Sequence, residues 1–79
     1  MIDRLLKNDV EHAIFEAIEI LSSDSPTDLV VIISYVLSRI GFPPCSEEDI
    51  KQYIRNWFRY HKDKGDIHET IIGGRKHYF

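Results

Sequence analysis

Three clusters of turn-forming residues, Ser22-Ser23-Asp24-Ser25-Pro26, Gly41-Phe42-Pro43-Pro44 and Gly73-Gly74, divide the 79-residue chain into segments too short for anything but a few helices and one hairpin. No repeat or low-complexity stretch competes with that division. One domain, residues 1–79, is therefore expected. A domain of this size buries only about 60% of its extended-chain surface, so every large apolar residue counts toward its core.

In the first segment Val10, Ala13, Ile14, Ala17, Ile18 and Leu21 recur at helical spacing, and Ile2, Leu5 and Leu6 prolong nearly the same stripe toward the start. This pattern fits one long helix, and it fits equally a break at Asn8 with Asp9 capping a second helix. In Ser25-Pro26-Thr27-Asp28, Ser25 is expected to cap, Pro26 to take the first helical position and Asp28 to complete a capping box. The helix that follows, Leu29 to Ile40, is apolar around most of its circumference and is expected at the centre of the core. Gly41 and the prolines behind it stop this helix.

Ser46-Glu47-Glu48-Asp49 opens a third helix by the same capping logic, running to about Lys64 and ended by Gly65. Ile50, Tyr53, Ile54, Trp57, Phe58 and His61 form one face, which their steps of three and four mark as buried, while Tyr60 falls off it. Lys51, Arg55, Arg59 and Lys62 form a second stripe, centred roughly 130° around the helix from the first. After Gly65 the chain turns strand-like, and Gly73-Gly74 between Asp66–Ile72 and Arg75–Phe79 is a hairpin signal. With Ile72 and Arg75 flanking the turn, Thr70 faces His77, Glu69 faces Tyr78 and His68 faces Phe79. Ile67, Ile71 and Tyr78 are then expected to sit on the helices. The fold class is α+β, mostly α: three or four helices followed by a C-terminal two-stranded β-hairpin.

The overall charge of −3 conceals a division. Lys51 to Phe79 carry seven Lys/Arg against three Asp/Glu, and Met1 to Ile50 carry three against ten, a dipole of −7 and +4. Clustered cations attract a phosphate backbone whatever the charge elsewhere on the molecule. Three helices with a basic outer face on the third, running through Lys64-Gly65-Asp66-Ile67 into a hairpin, resemble a winged-helix domain. That resemblance implies double-stranded DNA as the partner, with the third helix in the major groove and the hairpin, or wing, on the backbone. It assigns Lys51, Arg55, Arg59, Lys62, Arg75 and Lys76 to phosphates and Gln52 and Asn56 to base edges. A solvated helix face with pairs such as Glu47–Lys51 is the plainer account of the same stripe.

A second functional class uses the acidic half. Ile2, Leu5 and Leu6 extend the stripe beyond what a compact three-helix core has room to bury, and Phe15 falls off the main face; these residues either mark a partner surface, for a homodimer or for another protein, or close the bottom of the same core. Winged-helix folds serve as assembly modules too, and the acidic first turn of the third helix, Glu47, Glu48 and Asp49, suits that use. No enzymatic activity, metal or cofactor is expected. The four histidines avoid the i,i+4 spacing that converges on an ion, the single Cys45 has no thiol partner, and Gly73-Gly74 has no helix behind it to cradle a phosphate. The lone cysteine points to a reducing compartment, and the start of the chain has no signal-peptide core. The longest apolar run, Leu29 to Ile33, is far short of a membrane span. A cytoplasmic or nucleoid-associated protein is the expectation.

Overall fold

The computed structural model describes residues 4–41 and 47–79. Along the chain lie α1 (Arg4–Leu21), β1 (Thr27–Asp28), α2 (Leu29–Ile40), α3 (Glu47–Lys64), β2 (Glu69–Ile72) and β3 (Arg75–Tyr78). The class is α+β and mostly α. The placement of Ile2, of the stop at Pro43-Pro44, of Cys45 and of the expected cap Ser46 lies outside the described residues.

α1 is one helix, without a break at Asn8 and Asp9. Its buried stripe, Leu6, Val10, Ala13, Ile14 and Ala17, keeps one phase through that point, and packing of an amphipathic face outweighs a local capping option. α2 is the central element expected: it buries Ile32, Ile33 and Val36, packs Leu29, Tyr35, Leu37 and Ile40 partly buried against the same core, and touches α1, α3, β1 and β3, while Val30 and Val31 remain exposed. α3 buries Ile50, Ile54, Trp57 and Phe58, as its spacing requires, and Tyr53 packs partly buried against the same cluster.

The start of α2 departs from the sequence expectation. Asp28, not Ser25, is the N-cap, its Oδ1 accepting from the Val30 amide at 2.8 Å. Thr27 and Asp28 are extended and pair antiparallel with β3, Thr27 opposite Tyr78 and Asp28 opposite His77. The sheet is therefore three-stranded, in the order β1-β3-β2, where a two-stranded hairpin was expected. An open edge on β3 supplies hydrogen-bond partners to the residues before α2, and β-branched Thr27 fits that site better than a helical first turn.

The hairpin register is the expected one: Glu69 opposite Tyr78, Thr70 opposite His77, and Ile72 opposite Arg75. His68 and Phe79 prolong it with reciprocal backbone bonds of 3.0 and 3.1 Å. Ile67 and Tyr78 reach the core, but Ile71 is 57% exposed. Ile71 shares a sheet face with Tyr78 yet lies one residue from the turn, where its side chain stays in solvent.

Phe58, with no exposed surface, is the junction of the layers. Its ring lies 4.2 Å from that of Tyr78 and 5.1 Å from that of Trp57. Trp57 donates Nε1–H to Glu11 of α1 at 3.3 Å, which satisfies its one polar atom. Glu16 of α1 accepts from Tyr35 Oη and, at 3.0 Å, from Arg39 Nε, tying α1 to α2. These two bonds hold the Glu16 carboxyl below the usual carboxylate range.

α3 ends in a Schellman turn, with the Gly65 amide on Lys62 O at 3.1 Å and the Asp66 amide on His61 O at 2.9 Å. Gly65 has φ of 85° there. Space around it is open, so Gly65→Ala costs only the left-handed backbone penalty and is expected to lower unfolding free energy by about 1 kcal/mol in urea titrations. Phe58→Ala removes the ring shared by α3 and the sheet, and its expected cost in the same measurement is about 3–5 kcal/mol.

Candidate nucleic-acid interface

Because α3 advances 100° per residue, Arg55, Arg59 and Lys62 emerge from one flank of the helix beside its buried stripe. β3 runs past that flank. Tyr78 is anchored on Phe58, and two residues earlier on the same sheet face Lys76 extends toward the same space. A cleft of about 310 Å³ results, lined by Leu29, Arg55, Arg59, Lys62, Glu69, Lys76 and Tyr78. Three consecutive stretches of chain contribute cations or their counter-charge to it. Four of the sequence-predicted contact residues, Arg55, Arg59, Lys62 and Lys76, thus converge on a single cavity.

The other predicted residues lie apart. Lys51 turns to the first turn of its own helix, 3.3 Å from Glu47 and 3.6 Å from Glu48. With Arg55 it borders a smaller groove of about 180 Å³ between α2 and α3, whose apolar lining is Val30, Ile33 and Leu37. Arg75 leaves the tip of the hairpin to meet Asp28 at 2.7 Å. That pair joins β3 to the N-cap of α2 and partly neutralises the expected wing cation. Gln52 and Asn56 are exposed and bonded to each other at 3.1 Å across one helical turn.

Among the described residues, Arg55, Arg59 and Lys76 make no ion pair. Lys62 is 3.7 Å from Glu69, whose Oε2 also accepts from Tyr78 Oη at 2.9 Å. Sequence reasoning missed Glu69 and Tyr78 as site residues. The register placed them opposite each other, but only the docking of β3 on α3 sets the pair among cations. Burial, followed by the hydrogen bond to Glu69 and its negative charge, pushes the Tyr78 phenol far above its ordinary value.

The residues assigned to a partner surface divide as well. Leu5 and Phe15 are 76% and 53% exposed, but Leu6 belongs to the core, because its position on α1 is in phase with Val10 and Ala13. Phe15 stands edge-on to Trp57 at 5.3 Å, as an outer layer over the core. Among the described residues no group of three or more His, Cys, Asp or Glu side chains is placed to hold a metal ion, and no helix is long and apolar enough to cross a membrane.

The neutral Tyr78 phenol is the form the fold favours, while the unfolded chain ionises near 10.0. Its contribution to stability is full below that pH and is lost as pH rises toward the folded value. The wild-type urea midpoint is therefore expected to fall between about pH 9 and about pH 11, and Tyr78→Phe to lessen that fall, the remainder coming from Tyr35 and Tyr53, whose phenols are also raised, by the Glu16 hydrogen bond and by burial respectively.

No protein-family model matches the chain, and neither a curated protein nor a solved structure matches it.

Proposed function

We propose that the protein is a small double-stranded-DNA-binding or DNA-associated regulator of winged-helix type, which grips backbone phosphates between α3 and the β2–β3 hairpin. The observation that carries this reading is the convergence of Arg55, Arg59, Lys62 and Lys76, from two separate elements, on one cleft. A solvated helix face disperses its cations or pairs them along the helix, as Lys51 does with Glu47 and Glu48. Here a fourth cation comes from across the cleft, and among the described residues three of the four have no carboxylate of their own. Phosphates are the ligand chemistry that such a site fits, since clustered guanidinium and ammonium groups release condensed counterions on binding them.

The acidic first turn of α3 defines the docking direction. Glu47, Glu48 and Asp49 are exposed and repel phosphates, so the contact runs along the middle and C-terminal half of the helix, from Arg55 to Lys62, together with the hairpin. Backbone neutralisation outweighs base reading in this arrangement, with Gln52 and Asn56 on the adjoining face as the side chains nearest to a groove edge.

Fluorescence anisotropy of a labelled duplex, titrated with protein over a range of salt concentrations, tests this reading. Three unpaired cations lead to an expected log–log salt slope of about −3. The charge reversal Arg55→Glu/Arg59→Glu is expected to abolish binding while leaving the thermal midpoint within a few degrees, because both side chains are exposed. A folded protein that fails to bind at about 50 mM salt sinks the proposal.

A second reading, a protein-interaction module acting through the acidic half, draws on the exposure of Leu5 and Phe15 on α1. Leu5→Glu then abolishes self-association or partner capture and leaves DNA affinity unchanged.

A further inference from the structure

Among the described residues, the cationic cleft contains one anion of its own. Glu69 begins β2, lines the cleft, and has a side chain only 17% exposed. Two contacts hold it, Tyr78 Oη at 2.9 Å and Lys62 Nζ at 3.7 Å. Tyr78 is itself fixed by its ring contact with Phe58, so the carboxylate is presented by a rigid support rather than by a mobile loop. Among the described residues, Lys62 is consequently the only cleft cation already engaged by a carboxylate.

We propose that Glu69 is a built-in surrogate for a backbone phosphate: it occupies the Lys62 end of the cleft in the free protein and is displaced from Lys62 when a phosphodiester enters. This rests on the phosphate-binding reading above and adds to it a regulatory residue. The physical argument is competition for one cation. A carboxylate held near an ammonium group in a partly enclosed cleft lowers the local positive potential and must give up that partner before a phosphate oxygen can take it. Its cost to phosphate binding is offset in the free protein, where four cations around an empty cleft would otherwise repel one another. The Tyr78 hydroxyl keeps Glu69 at hand, so the carboxylate returns when the ligand leaves. Glu69 thereby tunes affinity downward and speeds release without touching the fold.

Salt-dependent anisotropy on a duplex, for the wild type, Glu69→Gln, Lys62→Met and the double variant, tests the idea, with Asp63→Asn as a control for a carboxylate on α3 outside the cleft lining. Glutamine retains an acceptor for Tyr78 Oη, and a thermal melt of each variant verifies the fold. Glu69→Gln is expected to bind roughly three- to tenfold more tightly. Its salt slope is expected to steepen by about one, as freed Lys62 adds a phosphate contact. Both gains are expected to disappear in the Lys62→Met background, and Asp63→Asn is expected to give less than half the affinity gain. Wild-type binding with no gain in Glu69→Gln, a gain that survives Lys62→Met, or an equal gain from Asp63→Asn overturns the surrogate role and leaves phosphate binding standing. Failure of every variant to bind overturns both.

Discussion

The contact between Phe58 and Tyr78 is the one on which the rest of the molecule depends. It presses the last strand against α3 with rings 4.2 Å apart, and the other arrangements of the C-terminal half follow from it. With β3 held there, its outer edge is available to Thr27 and Asp28, which makes the sheet three-stranded and sets the cap of α2. Its neighbouring residue on the same face, Lys76, is aimed along the basic flank of α3. The hydroxyl of Tyr78, left at the margin of the core, takes Glu69 as its partner and positions a carboxylate among cations.

Charge is separated in space as well as along the chain. In the acidic half, Glu11 of α1 accepts from Trp57, Glu16 of α1 from Tyr35 and Arg39, and Asp28 of β1 both caps α2 and binds Arg75. These bonds serve the fold. In the basic half Lys51, Lys64 and Arg75 are tied down in the same way, while Arg55, Arg59, Lys62 and Lys76 face an open cleft. Of the six cations assigned to phosphates, four thus line one cleft, and one of these, Lys62, already faces Glu69.

Helical periodicity, glycine positions and hairpin register are local properties, and they were legible residue by residue. The stripe from Leu6 to Ala17, the α3 face from Ile50 to Phe58, the stop at Gly65 and the pairing of Glu69 with Tyr78 all follow from spacing and turn chemistry, because side-chain direction repeats with a fixed period within one element. Failures fall where a second element decides. Ser25 lost the cap of α2 to Asp28 because β3 lay within pairing distance, Leu6 and Leu5, adjacent in sequence, parted to core and solvent, and Ile71 came out into solvent next to the hairpin turn.

The same boundary runs through the candidate site. The sequence by itself determined that the last 29 residues are basic, that Arg55, Arg59 and Lys62 share one flank of a helix, and that a hairpin follows with Lys76 near its turn. The pairing of Lys51 with Glu47 within one helical turn was legible too, but only the tertiary structure decided which cations meet across a cleft, that Arg75 is neutralised by Asp28, and that Glu69 stands among them. Electrostatic pairing depends on separations of a few ångströms between residues distant in sequence, and those separations are fixed by how aromatic and aliphatic side chains pack, not by where charges occur along the chain.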